Sequence, residues 1–177
     1  MSDPHDLQTP SAWVLRWAEG IPAGGRVLDV ACGNGRHARF LASRGHPVEA
    51  VDRDPAKFSQ LAGIPGINPR TADLESGPWP YADRRFAGIV VVNYLHRPLF
   101  PRLLEALAPG GVLIYETFAA GNERYGRPSN PAFLLKPGEL LEVVRGRLRV
   151  IAYEDLEVSD PRPAAVQRIC AVHPPTA

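Results

Sequence analysis

Four consecutive β-branched residues, Ile89-Val90-Val91-Val92, close an apolar run that begins at Phe86. Successive side chains of a strand point to opposite faces, so a run without polar alternates has no face to give to water. Such a strand needs cover on both sides, the situation of a parallel sheet flanked by helices. The surrounding chain alternates accordingly. Ser11 caps a short helix with Trp13, Val14, Trp17 and Ala18 on one face. A strand at Arg26 to Ala31 leads into Gly33 and Gly35, and a helix at Arg36 to Arg44 ends at Gly45. Val48 to Val51 is a second strand, followed by a helix from Pro55 to Leu61 with Asp54 as its cap. A short third strand is expected around Asn68 to Asp73, and the apolar run itself is the fourth. Phe100, Leu103, Leu104 and Leu107 recur at helical spacing in a helix from Pro98 to Ala108, which Pro109-Gly110-Gly111 stops. Val112 to Phe118 is the fifth strand and Leu140 to Val144 a further helix. Two β-rich runs, Leu148 to Val158 and Ala164 to His173, joined at Ser159-Asp160-Pro161, read as an antiparallel hairpin. The pattern predicts an α/β fold: a Rossmann-like, doubly wound, seven-stranded and mostly parallel sheet with a C-terminal antiparallel hairpin. With 177 residues, one domain is expected, its core spanning about residues 11 to 173.

Composition narrows the partners. Lys and Arg number 20 against 19 Asp and Glu, a net charge of +1 that supplies no field for gripping a polyphosphate, so nucleic acid is not expected as a partner. The two cysteines, Cys32 and Cys170, make neither a disulfide framework nor a metal site. Met1 to Leu15 lacks a basic segment followed by an apolar one, and no apolar stretch is long enough to cross a bilayer. The chain reads as cytoplasmic, reduced and without a membrane partner.

Open parallel sheets bind ligands beyond the carboxyl ends of their strands, so the residues after strands matter most. Asp29 to Gly35 reads Asp-Val-Ala-Cys-Gly-Asn-Gly, a turn whose glycines let backbone approach a ligand at the start of a helix. Gly33-x-Gly35-x-x-Ala38, with Asp52 about 20 residues on, also fits a dinucleotide fingerprint. Asp29 separates the two readings. A carboxylate at the end of a buried strand is costly, and it repels a pyrophosphate, but it attracts the α-ammonium and sulfonium of S-adenosylmethionine. Val27 to Gly35 together with Val48 to Asp54 resembles the first two motifs of class I S-adenosylmethionine-dependent methyltransferases, in particular the small tellurite-resistance-like and general methyltransferase-domain groups. The resemblance covers about Trp13 to His173. It implies that Asp29, with Ala31, Cys32, Gly33, Asn34 and Gly35 of the turn, holds the methionyl portion of S-adenosylmethionine. It further implies that Asp52 takes the ribose hydroxyls, that Asp73 and the backbone of Leu74 read the adenine amino group, that Arg53 flanks the adenine, and that Asn93 lines the cofactor.

Methyl transfer from a sulfonium requires positioning, exclusion of water and, for some acceptors, removal of a proton. Residues after the fourth and fifth strands are the candidates: Asn93, Tyr94, His96 and Arg97, then Glu116, Thr117 and Phe118. His96 is the expected general base, since its unperturbed pKa of ~6.5 suits neutral operation, and Tyr94 the expected wall of the transfer pocket. Asn93-Tyr94-Leu95-His96 departs from the Asn/Asp-Pro-Pro-aromatic run of enzymes that methylate base amino groups. The long connection Ala119 to Pro137, with Asn122, Glu123, Arg124, Tyr125, Arg127, Asn130 and Phe133, is placed to act as a substrate lid. A small-molecule methyl acceptor is the leading expectation; a NAD-dependent oxidoreductase and a non-catalytic cofactor-binding module are the alternatives.

Overall fold

The computed structural model describes residues 8–175, leaving most of the expected polar leader, residues 1–7, outside the described residues. Seven strands form one sheet: β1 (Val27–Val30), β2 (Val48–Asp52), β3 (Ile67–Thr71), β4 (Phe86–Val92), β5 (Leu107–Phe118), β6 (Arg149–Val158) and β7 (Ala164–Val172). Their spatial order is β3-β2-β1-β4-β5-β7-β6. The first five are parallel, and the β6–β7 hairpin joins β5 antiparallel through β7. From β1 the chain winds outward to β2 and β3, then returns to β4 on the other side, so winding reverses between β1 and β4. A crevice is expected at the carboxyl ends of those two strands.

Four helices, α1 (Ala12–Trp17), α2 (Arg36–Ser43), α3 (Phe100–Glu105) and α4 (Glu139–Val144), cover the two faces. Strand β4 shows why its run is unbroken. Ile89 and Val91 pack with Leu103 and Leu104 of α3 and Leu140 and Val144 of α4, whereas Val90 and Val92 pack with Trp13 and Val14 of α1 and Ala38 and Leu41 of α2. Each buried side chain contributes about 2 kcal/mol, and the run stabilises two layers at once. The cap of α1 is as the sequence predicts, with the Ser11 Oγ accepting from the Val14 amide at 3.1 Å.

Three elements differ from their sequence-based bounds. The segment expected as one helix from Pro98 to Ala108 is a 3-10 turn (Arg97–Leu99) and the short α3, and β5 already begins at Leu107. Leu107 pairs with Phe86, and the register then shifts before Gly88 pairs with Val112, so Pro109-Gly110-Gly111 lies inside the strand as an irregularity. A Cβ on Gly111 would stand 2.8 Å from the Phe86 carbonyl oxygen and 2.7 Å from that of Ala108. That close backbone approach, rather than helix termination, is what glycine serves there. The expected helix from Pro55 is a 3-10 stretch, Pro55–Gln60, that buries none of its residues and so lacks the packing a longer helix needs. The third strand is Ile67–Thr71, ending two residues before Asp73.

At the amino ends of the strands, the Glu49 carboxylate is buried and hydrogen-bonded at both oxygens. Its Oε1 accepts from Arg26 Nη1 at 3.0 Å and Arg84 Nη1 at 2.7 Å, and its Oε2 from Asn68 Nδ2 at 2.8 Å. Among the described residues no helix is long and apolar enough to cross a membrane, and no group of three His, Cys, Asp or Glu side chains is placed to hold a metal ion.

Candidate functional site

The carboxyl ends of β1 and β4 carry unusual backbone. Ala31 (φ 51°) and Asn93 (φ 57°) are the two non-glycine residues in the left-handed region among those described. Each follows one of the two strands at the reversal of winding, and each conformation costs about 1–2 kcal/mol. Between Ala31 and α2 the chain turns through Gly33 (φ 55°) and Gly35 (φ 78°). A Cβ on Gly35 would lie 2.3 Å from Leu61, so that position needs glycine for space as well as conformation. At Gly33 the space is open.

Asp29, on β1, is 1% exposed and lines a cavity of about 410 Å³ with Gly33, Asn34, Arg36, His37 and Asn93. Its carboxylate accepts from the Ala38 amide, while Oδ2 is buried without a hydrogen-bond partner. Burial raises its pKa from 3.8 to about 7; the Ala38 hydrogen bond and the charge of Arg36 act against the rise, and the charge of Asp52 adds to it. A buried acid in this state gains from any cationic or N–H-bearing ligand that reaches Oδ2.

Asp52 ends β2 and ties the turn to it: Oδ2 accepts from the Gly33 amide at 2.9 Å and Oδ1 from the Asp54 amide at 3.0 Å. Each oxygen keeps a further lone pair. Asp52, Arg53, Asp73, Leu74 and Tyr94 line a second cavity, about 240 Å³, which meets the first at Ala31. All eleven residues expected at the cofactor therefore lie along this cleft or, for Gly35, at the turn that shapes it.

Several side chains have occupations the sequence did not show. The exposed Asp73 carboxylate closes its own turn, accepting from the Glu75 and Ser76 amides at 2.9 and 3.2 Å and the Ser76 hydroxyl at 2.5 Å. These bonds, that from the Ser76 hydroxyl first, hold its pKa below the ordinary value. Burial pushes the Tyr94 hydroxyl up, and the neighbouring Glu75 carboxylate adds to the shift. Burial also pushes the Cys32 thiol up, with the charges of Asp29 and Asp52 adding to it, so Cys32 is a small packed side chain. His96 is not brought to the cleft: it precedes the 3-10 turn at Arg97–Leu99 and lines neither the two cavities of the cleft nor the two that flank it.

Arg36 and His37 belong to the cavity but were missed in the sequence. Arg36 places a cation in the first turn of α2, the end where the helix dipole disfavours one, and that mismatch is a legible signal. His37 is buried with Nε2 accepting from the Ser11 amide at 3.1 Å, and burial, with the charge of Arg36, pushes its pKa down to about 3. The signal there is its place one turn before Leu41, on the buried face.

The two flanking cavities differ in their walls. One, about 410 Å³, lies among residues 9–12, α1, the end of β5 and the β6–β7 turn. The other, about 570 Å³, is roofed by the long connection, with Arg127, Asn130 and Phe133 facing Tyr94 and Phe118. Arg97 clamps that connection: its Nε donates to Glu139 Oε1 at 2.6 Å, and its Nη atoms donate to Glu139 Oε2 and to the Ala132 and Leu134 carbonyls at 2.8–3.0 Å.

Residues 5–145 match the family model described as a methyltransferase domain. Trans-aconitate 2-methyltransferase of Methylobacterium nodulans is 36% identical over 100 residues, covering 52% of this chain and 38% of that protein, so the chain spans well under half its length. TehB from Haemophilus influenzae superposes with a TM-score of 0.79 at 17% identity, over 96% of this chain and 64% of that one. The glycopeptide N-methyltransferase MtfA, complexed with S-adenosylhomocysteine, superposes with a TM-score of 0.65 at 18% identity, over 98% of this chain and 94% of that one.

Proposed function

The chain belongs to the methyltransferase-domain family of S-adenosylmethionine-dependent methyltransferases, and from that we propose that it transfers a methyl group from S-adenosylmethionine to a small molecule. The observation that carries the residue assignment is Asp29, a buried carboxylate with an unpartnered Oδ2 beside the Gly33 to Gly35 turn. An α-ammonium there satisfies the orphaned oxygen and restores its charge, whereas a dinucleotide pyrophosphate adds a second anion.

In this reading Arg36 takes the carboxylate of the methionyl portion, and the free lone pairs of Asp52 take the ribose hydroxyls. Arg53, Asp73 and the backbone of Leu74 receive the adenine, and Asn93 closes the cleft beneath the methyl group. The cofactor supplies a methyl group already activated by its sulfonium. The protein's part is to hold an acceptor in line with it and to keep water away. A small molecule is favoured because the chain has no net field for a polyanion and because the relative from Methylobacterium nodulans acts on trans-aconitate.

The test is titration calorimetry with S-adenosylmethionine and S-adenosylhomocysteine, with NAD as the control. Binding of the first two and silence with NAD is the expected result. Asp52→Ala should weaken S-adenosylhomocysteine binding by about a hundredfold, the loss of charge-assisted contacts worth about 3 kcal/mol. Unchanged binding by that variant would refute the ribose assignment.

A further inference from the structure

Arg39 stands in α2 four residues after the Gly35 cap, near the helix end whose dipole disfavours a cation. What it gains there is contact with neutral oxygens from three separate segments. Its Nη1 donates to the Asn34 carbonyl at 2.6 Å and, more weakly, to Gln60 Oε1 at 3.4 Å, while its Nη2 donates to Gln8 Oε1 at 2.9 Å. Asn34 lies in the glycine turn, Gln60 ends the 3-10 stretch Pro55–Gln60, and Gln8 lies before α1. Asn34 and Gln60 both line the cavity that holds Asp29 and Arg36, the methionyl end of the cleft in the reading above.

The bond to Asn34 reaches furthest. A carbonyl and the amide that follows it share one rigid plane, so the oxygen held by Arg39 and the Gly35 N–H can only turn together. That N–H donates to the Cys32 carbonyl at 2.9 Å. The Asn34–Gly35 plane is therefore held at both edges, just as the Gly33 amide is held by Asp52 Oδ2 at 2.9 Å. Without Arg39 the plane keeps one bond, and it is flanked by Gly33 (φ 55°) and Gly35 (φ 78°), residues that reorient at little steric cost. The contact from the guanidinium is charge-assisted and short, and so among the stronger hydrogen bonds a backbone carbonyl accepts. The same guanidinium fastens the 3-10 stretch, which buries none of its own residues.

Resting on the cofactor placement above, we propose that Arg39 is a positioning residue of the cofactor cleft. It fixes the Asn34–Gly35 peptide plane and draws the turn, the 3-10 stretch and the segment before α1 together, so that the methionyl end is shaped before the cofactor arrives. Arg39 is not among the residues lining the cavity and acts through Asn34 and Gln60. A site whose competent form is only partly populated loses apparent affinity by that fraction. Loss of a charge-assisted hydrogen bond is enough to lower the fraction about tenfold.

The experiment compares S-adenosylhomocysteine with 5′-methylthioadenosine by calorimetry, since the second keeps the adenosyl part and lacks the amino-acid part. Arg39→Ala should weaken S-adenosylhomocysteine about tenfold and leave methylthioadenosine within about twofold of the parent, a split that a general loss of stability would not produce. Arg39→Lys keeps the charge without the planar fork and should remain at least about fivefold weaker for S-adenosylhomocysteine. In the cofactor-free Arg39→Ala protein the Gly35 amide should exchange about tenfold faster, with the amides of β4 unchanged. Equal weakening of the two ligands, unchanged S-adenosylhomocysteine affinity, full recovery by Arg39→Lys, or an unaltered Gly35 exchange rate overturns the proposal. Asp29→Asn tests the placement separately, and it should weaken S-adenosylhomocysteine while sparing methylthioadenosine. If it affects both alike, or if the parent does not bind S-adenosylhomocysteine, the cofactor reading fails first and takes this one with it.

Discussion

Replacing Asp29 by asparagine keeps the shape of a β1 side chain and removes an ionisation that burial makes costly. The carboxyl stands at about 7 in the folded protein against an ordinary 3.8. At about 1.4 kcal/mol for each tenfold change in proton affinity, this corresponds to about 4 kcal/mol of stability lost by the cofactor-free protein once both forms are ionised. The sign follows from proton counting. Between about pH 4 and 7 the folded form retains a proton that the unfolded form has released, so stability falls as pH rises through that window and levels off above it. About 1.5–2 kcal/mol of the loss is present by pH 5, leaving about 2–3 kcal/mol between pH 5 and 8. The Asp29→Asn variant has no such dependence, and contributions from other titrating groups cancel in the difference between the two proteins. Urea unfolding of both cofactor-free proteins should show Asp29→Asn gaining about 2–3 kcal/mol on the parent from pH 5 to pH 8, about 1 M in midpoint. Over the same range the variant should bind S-adenosylhomocysteine at least about tenfold more weakly, because the charge facing the α-ammonium is gone. Parallel stability profiles would refute the burial argument; a stability gain with unchanged affinity would refute the role given to Oδ2.

Gly35→Ala should cost about 2 kcal/mol or more, combining a left-handed backbone with a Cβ overlapping Leu61, and chemical denaturation with calorimetry should record lower stability and weaker S-adenosylhomocysteine binding together. Arg97→Ala removes a forked ion pair and two carbonyl contacts; a loss of about 2–3 kcal/mol is expected, with faster amide exchange in residues 131–139 and unchanged cofactor affinity. His96→Ala should leave both cofactor affinity and turnover within about twofold of the parent, as for a side chain away from the reaction. A tenfold or greater fall in turnover on a confirmed acceptor would return His96 to the chemistry.

That the residues expected at the cofactor share one cleft was legible because the signals are local. The Asp29 to Gly35 turn and Asp52 belong to adjacent strands, and the Gly33 amide indeed bonds the Asp52 carboxylate. Strand β4 was legible because an unbroken β-branched run has one structural solution. The cavity beside α1 was legible only at Glu116 and Phe118, since Arg36, Arg162 and Arg168 come from distant parts of the sequence and meet them only through tertiary packing. His96, three positions after Asn93, precedes the 3-10 turn that starts at Arg97 and lines none of the four cavities, a placement that residue type and spacing alone do not reveal. The boundary of α3 was missed because Leu107 satisfies a helical apolar spacing and a strand pairing with Phe86 equally well.

Glu49 sits at the other end of the strands from all of this. Three side chains from the starts of β1, β3 and β4 converge on one buried carboxylate, while at the far ends Ala31 and Asn93 hold costly backbone and Asp29 an unanswered oxygen. The sheet is thus pinned by hydrogen bonds at its amino ends and carries strained backbone and an unpartnered carboxylate oxygen at its carboxyl ends. Amide protection should fall along β1 from Val27 toward Ala31 in the empty protein, and S-adenosylhomocysteine should flatten that slope.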